Sequence, residues 1–224
     1  MIQGSFDFTK EYRDLYLPGN KPVIVELPPI PYIMIAGAGN PNDENGAYAD
    51  ALQALYALTY TIKMSKMSNL QPEGYFEYKV PPLEGLWWNK GPAFNGLSAK
   101  DKSTFLWISM IRQPDFVTPA VFAWACDEVA RKKPRVDLKE ARFEIYEEGL
   151  CVQIMHKGPY DDEPVTIEKL ETFVGENGYS NDFSNSLDAY PIGRRHHEVY
   201  LGDPRRTKPE NLRTVIRHPI RKNA

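Results

Sequence analysis

The feature that most constrains this chain is an order of elements that occurs twice. Residues 32–36 form an apolar run ended by Gly37-Ala38-Gly39-Asn40-Pro41, which predicts a strand and then a loop. Residues 47–66 carry Tyr48, Leu52, Leu55, Thr59 and Ile62 at helical spacing, with Asp43 or Asn45 placed to cap them. Strand patterns follow at 76–80 and 83–88, bent at Pro81-Pro82, and at 104–112. Thr118-Pro119 then begins a connecting helix to about residue 133, with a capping hydroxyl and proline at the first helical position. The series starts again with a hairpin of 143–146 and 150–155 around Gly149. A helix from Asp161-Asp162-Glu163-Pro164 to about residue 176, and strands at 196–201 and 213–218, complete it. Ile111-Arg112-Gln113-Pro114 closes the first series and Ile216-Arg217-His218-Pro219 the second, an echo at matching places.

Two such units predict an α+β fold of tandem strand-helix-strand-strand modules related by a pseudo-twofold. An antiparallel sheet would carry helices on one face and a ligand cleft on the other. The expected division of residues 1–224 is one domain: an extended, proline-punctuated lead-in (1–31), a first module with its connecting helix (32–133), and a second module (134–224).

Composition removes several function classes. Lys+Arg 27 against Asp+Glu 30 leaves a net charge of −3, so nothing general draws the chain to nucleic acid or an anionic membrane. No apolar run approaches the roughly 20 residues of a membrane span, and Met1-Ile2-Gln3-Gly4 does not open a secretory signal. Cys126 and Cys151 lack metal or redox spacing and suggest reduced thiols in the cytoplasm, with a single disulfide between them as the alternative. No metal or cofactor is expected, since His196 and His197 point to opposite strand faces and Gly37-x-Gly39 lacks the rest of a dinucleotide motif. Aromatic residues make up 12% of the chain, which raises the question of whether some line a site.

Strand alternation addresses it. Val199 and Leu201 share one side, suited to packing under a helix, which leaves His196, Glu198 and Tyr200 on the other. In 105–111, Phe105, Trp107 and Ser109 oppose Leu106, Ile108 and Met110. The aromatic and polar faces together would wall a cleft for a flat organic molecule, with a carboxylate in it. Alternation leaves Glu198 two readings: a solvent-facing acid paired with Arg194 or Arg195, or a partly desolvated base. Trp124, off the stripe of its helix, is open to exposure, packing or a cleft wall. Of the adjacent Trp87 and Trp88, one should face the cleft.

Several stretches then resemble the GyrI-like small-molecule-binding family. They are Phe6-Asp7-Phe8 with Leu15-Tyr16-Leu17-Pro18, the run from Ile33 to Asn42, and Pro82-Leu83-Glu84-Gly85-Leu86-Trp87-Trp88. Met110 to Val117, His156-Lys157-Gly158-Pro159-Tyr160, and His197 to Leu201 with Asp203-Pro204 complete the set. The wider superfamily includes drug-sensing regulator domains in which a central glutamate meets cationic aromatic drugs, and Glu198 matches that glutamate by its strand. The chain looks closest to stand-alone members known as cyclopropanoid cyclopropyl hydrolases, which open the spiro-cyclopropane of DNA-alkylating natural products. The resemblance implies a flat aromatic partner, a cyclopropanoid toxin or cationic drug, met by a monomer or dimer. It implies Glu198 as base, Tyr200 or Tyr78 as donor, and Trp88, Trp107, Trp124, His196 and Tyr160 as ligand contacts.

Overall fold

The structure, a computed structural model, describes residues 4–89, 94–97 and 101–223; Met1-Ile2-Gln3, used in the signal reading above, lie outside them. Among the described residues, nine strands form one antiparallel sheet: β1 (Val23–Leu27), β2 (Ile30–Ala38), β3 (Leu83–Asn89), β4 (Phe105–Arg112), β5 (Ala141–Tyr146), β6 (Gly149–Lys157), β7 (Tyr179–Asn181), β8 (His196–Tyr200) and β9 (Arg213–Lys222). Their order is β1-β6-β9-β8-β3-β4-β2-β5, with β7 on the far end of β9. Two short helices, α1 (Phe8–Glu11) and α2 (Arg13–Tyr16), precede the sheet. Three longer ones are α3 (Ala47–Lys63), α4 (Pro119–Lys132) and α5 (Glu163–Glu176). No helix among the described residues is long and apolar enough to cross a membrane.

The expected duplication is present, centred between β3 and β8. Ile33 and Leu83 flank Ile111 in the first half, and Ile154 and Glu198 flank Ile216 in the second. The echoed isoleucines therefore align the halves residue by residue, and Glu198 stands where the first half has Leu83. The same count pairs Gly85 with Tyr200, Gln113 with His218, and Gly37 with Gly158.

The sheet must curl. In a flat sheet β1 and β2 would lie six strand spacings apart, about 29 Å, yet the three-residue step from Leu27 to Ile30 spans at most about 10 Å. The step from Tyr146 to Gly149 joins β5 to β6 under the same constraint. Residues 143–155 are therefore not the expected hairpin: β5 pairs with β2, and β6 lies between β1 and β9. Gly149 does turn the chain, at φ +69°, but Glu148 beside it points inward and is buried.

Most helix and strand expectations hold within a few residues. Thr118 caps α4, its hydroxyl accepting from the Val121 N–H at 3.3 Å. At α3, by contrast, Gly46 occupies the cap position, not Asp43 or Asn45. Residues 76–80 form only an isolated bridge, Phe6 with Tyr78, and β1 is a strand inside the segment read as lead-in. Cys126 and Cys151 are free thiols.

The echoed arginines have a common task. Arg112 stacks on the rings of Tyr12 (4.1 Å) and Phe8 (4.9 Å), and Arg217 donates to the Leu15 carbonyl at 2.9 Å. Both thus hold the N-terminal α1–α2 segment against the sheet. Around Arg217 lies a buried ionic network, with Glu148 at 3.3 Å from Arg217 Nη1 and 2.9 Å from His197 Nδ1. Glu84 lies 3.0 Å from His197 Nε2 and accepts from the hydroxyls of Tyr16 (3.2 Å) and Tyr32 (3.1 Å). Every buried charge there has a partner, the condition under which such a network is tolerated.

Candidate active site

His196, Glu198 and Tyr200 do share one face of β8, as alternation requires. The helices, however, lie over that same face. Tyr48 of α3 contacts Trp87 and Trp107, and Glu171 of α5 meets His218. The Val199 face is instead covered by the N-terminal segment that binds Glu84 and Arg217. Glu198 therefore sits on the sheet face that α3 and α5 cover.

Glu198 lies opposite Gly85 of β3, and that glycine creates the space for its neighbours. A Cβ at Gly85 would fall 2.7 Å from Trp87 Nε1 and 3.2 Å from the Tyr200 hydroxyl. Trp87 donates to the Tyr200 oxygen at 2.8 Å, and the Tyr200 hydroxyl donates to Glu198 Oε2 at 2.7 Å. His196 Nε2 stands 2.8 Å from Glu198 Oε1. Behind it, His196 Nδ1 is 2.8 Å from His218 Nε2, whose Nδ1 is 3.0 Å from Glu171 Oε1. The Glu198 side chain keeps 14% of its surface exposed, against 1% for His196.

Electrostatics divides two carboxyls between two roles. Burial pushes Glu198 up, but hydrogen bonding and charge from His196, with the Tyr200 hydroxyl, outweigh it and hold the group below the usual carboxylate range. Glu163, at the start of α5, is pushed well above that range by burial and by the adjacent Glu198. The two carboxyls are pushed in opposite directions, the usual result when carboxyls share a site, so Glu198 ionises first and Glu163 holds its proton longer. Burial and then the Glu198 charge also raise the Tyr200 and Tyr160 phenols, which remain donors.

The first half supplies an aromatic wall. Tyr48 lies 5.5 Å from Trp87 and edge-on to Trp107 at 5.1 Å, and Phe105 is edge-on to Trp87 at 5.7 Å. Trp107 rests on Gly37, where a Cβ would fall 2.2 Å from its Cη2. Gly37-x-Gly39, which suggested a weak nucleotide motif, thus provides a seat for an indole. The Trp107 N–H is buried without a partner among the described residues.

Of the residues singled out from the sequence, Glu198, Tyr200, His196, Tyr160 and Trp107 come together, with Tyr160 edge-on to Tyr200 at 5.8 Å. Three do not. Tyr78 is buried among Phe8, Tyr75, Phe76 and Phe116 under the N-terminal segment. Trp88 points to the opposite face, donating to the Leu187 carbonyl at 3.1 Å under the Arg195 guanidinium. Trp124 borders a depression of about 300 Å³ between α3 and α4. Nor do Arg194 and Arg195 pair with Glu198, since Arg194 binds Asp182 and Arg195 donates to the Ser184 and Ser186 carbonyls.

Sequence reasoning missed Trp87, Tyr48, Glu163, His218 and Glu171. Tyr48 lay on an apolar helix stripe, and Glu163 read as a first-turn acid. Trp87 had a usable signal, being two residues from Gly85 and so on its face. No group of three potential ligands among the described residues is arranged to hold a metal ion.

A model of the GyrI-like small-molecule-binding domain matches residues 20–221. A crystal structure of an uncharacterised conserved protein from Listeria innocua is 41% identical, covers 97% of this chain and 100% of its own, and superposes with a TM-score of 0.87. Two crystal structures of a hydrolase from the same species are similar at 39% and 40% identity, each covering 97% of this chain and 100% of its own, with TM-scores of 0.84 and 0.85. No curated protein matches the chain.

Proposed function

The chain belongs to the GyrI-like small-molecule-binding family, and from that premise we propose that it hydrolyses the cyclopropane of flat spirocyclopropyl DNA alkylators, so detoxifying them. The observation that carries this reading is Glu198, held low by His196 and Tyr200, set beside Glu163, pushed up by burial and by Glu198, against an aromatic wall. That the similar Listeria proteins are hydrolases supports a hydrolytic role.

The chemistry balances with these groups. Glu198 takes a proton from water as its oxygen bonds to the cyclopropane methylene. The ring carbon–carbon bond breaks, and its electron pair passes through the dienone to leave a phenolate oxygen. Glu163 protonates that oxygen, Tyr200 keeps its hydrogen bond to Glu198, and the proton on Glu198 returns to Glu163. The product has gained one water. A flat ligand would be held between Trp87, Trp107, Tyr48 and Tyr160, with His196 orienting Glu198. These rings fill the site in the present conformation, so entry requires them to part. Two free thiols suit a cytoplasmic enzyme that meets such toxins before they reach DNA.

A second reading has its own support: an anion beside an aromatic wall also suits a cationic aromatic drug held without reaction. Turnover separates the two. With the alkylator in large excess, repeated addition of one water with loss of the dienone absorbance is expected. Protection that stops at one equivalent would leave sequestration.

A further inference from the structure

Glu198, His196, His218 and Glu171 form an unbroken line across β8, β9 and α5, of which the proposed reaction uses only the first two. The three contacts along it measure 2.8, 2.8 and 3.0 Å, and each needs one proton. Both end carboxylates also accept on their second oxygens, Glu198 from Tyr200 at 2.7 Å and Glu171 from Asn181 Nδ2 at 2.6 Å. His218 holds the Glu171 carboxyl, and His196 with Tyr200 the Glu198 carboxyl, below the usual carboxylate range against burial, so both ends of the line are anions. All three protons therefore reside on two imidazoles, which hold only two between them when neutral.

We propose that His218 and Glu171 are a positioning pair that, through His196, fixes the orientation and charge of Glu198 by sharing a single extra proton along this line. His196 stands between Glu198 on one side and His218 on the other, so the extra proton is shared across it. His218 is the neutral member: burial holds its imidazole down to about 4 despite Glu171. Glu171 is held below the usual carboxylate range against its burial, mainly by His218. The inference deepens the reading of Glu198 as a base, because an oriented anion needs a fixed donor and a compensated charge.

Among the described residues, no other titratable group competes for the extra proton. Phe94 is edge-on to His196 at 5.8 Å, and Phe183 packs on His218 at 5.1 Å. Gly96 closes over His196, where a Cβ would fall 2.8 Å from its Cε1. From α5, Glu163 also faces this site; burial and the Glu198 charge push it up, and the Lys102 charge works against them. Glu148, across the sheet, is committed to His197 and Arg217. Asp182, beyond Asn181, is committed to Arg194 and Arg221. The line has two outlets to water, Glu198 at 14% and Glu171 at 27% side-chain exposure.

The partner half shows what the line replaced. His218 occupies the position of Gln113, which also reaches back to its own helix, donating to the Thr59 hydroxyl at 3.2 Å. A strand-to-helix tie present in both halves has become a titratable one in the half that carries Glu198.

Imidazole 15N NMR of the full chain tests this directly, because only four histidines contribute. At pH 7 one doubly protonated ring and one neutral Nδ1–H ring are expected from His196 and His218. Glu171→Gln should lower the midpoint at which the shared proton leaves by about one pH unit or more, with His156 and His197 unmoved. Glu171→Asp, which keeps the charge, should restore most of the shift. Two neutral rings at pH 7 in the unaltered protein would overturn the proposal, and so would a midpoint indifferent to Glu171→Gln. The first outcome requires no variant. The spectra need no substrate, so a failed hydrolysis assay leaves this test intact. Where turnover occurs, the corresponding limb of the kcat profile should move by the same amount with KM unchanged.

Discussion

The two halves of this molecule have one architecture and divide the chemistry. On the face that carries the site the first half presents Leu83, Gly85, Trp87 and Trp107, while the second presents Glu198, Tyr200 and His196. Leu83 and Glu198 occupy equivalent positions, as do Gly85 and Tyr200. One half has become a wall and the other a proton-handling line. Backbone pairing asks only for alternation, so side chains on one face can diverge while both ladders stay intact. The glycines make the division workable, because Gly85 and Gly37 leave room for rings that a second set of large side chains would fill.

The opposite face offers the strongest test of how unlike the halves have become. Arg217→Met would leave Glu148 buried with His197 as its one remaining partner among the described residues and should cost about 3–5 kcal/mol in urea unfolding. Arg112→Met removes stacking on Phe8 and Tyr12 and should cost about 1–2 kcal/mol. Equal losses would mean that the echoed arginines are still interchangeable. The same network sets the pH response. Burial lowers His197, but the Glu148 charge and the hydrogen bonds His197 donates to Glu148 and Glu84 outweigh it and hold the imidazolium above its ordinary range. Its contribution is complete below about pH 6.5 and is lost as pH rises through the folded value. Glu148 is held low by His197 and Arg217 against burial, so its contribution is present above about pH 4.5 and is lost on acidification. Urea midpoints should therefore peak between about pH 5 and 6.5.

A smaller contrast separates the equivalent glycines. Gly37→Ala pushes a methyl into Trp107 and should cost about 1–3 kcal/mol, with a change in the near-UV dichroism of the tryptophans. Gly158 has room for a methyl but stands at φ +134°, so Gly158→Ala should cost about 1 kcal/mol through backbone strain alone. Matching spectral changes in both variants would contradict the different roles.

The duplication was legible because its marks are local: the Ile-Arg echo, the Thr118 cap, and the alternation that puts Glu198 with Tyr200. What was not legible depends on a second layer. Alternation gives a period but not which face meets which helix, and here both faces of β8 are covered, so the aliphatic side of Val199 was a poor guide. Gly149 between two strand patterns predicted a hairpin, yet curling of the sheet sends β5 to β2 and draws Glu148 toward Arg217 and His197. Tyr78 and Trp88 were aromatic residues near strands, and only tertiary packing separates them from Trp87. His218 lay in plain view within the second echo, where its contrast with Gln113 was the available signal.

The central claim is that binding and chemistry belong to different halves. Glu198→Gln tests it most directly, through kcat and ligand Kd measured on the same preparation with a cyclopropanoid alkylator. The account predicts a fall in turnover of about 10²–10⁴-fold with Kd nearly unchanged, because the aromatic wall is untouched. Turnover that survives the substitution would contradict it.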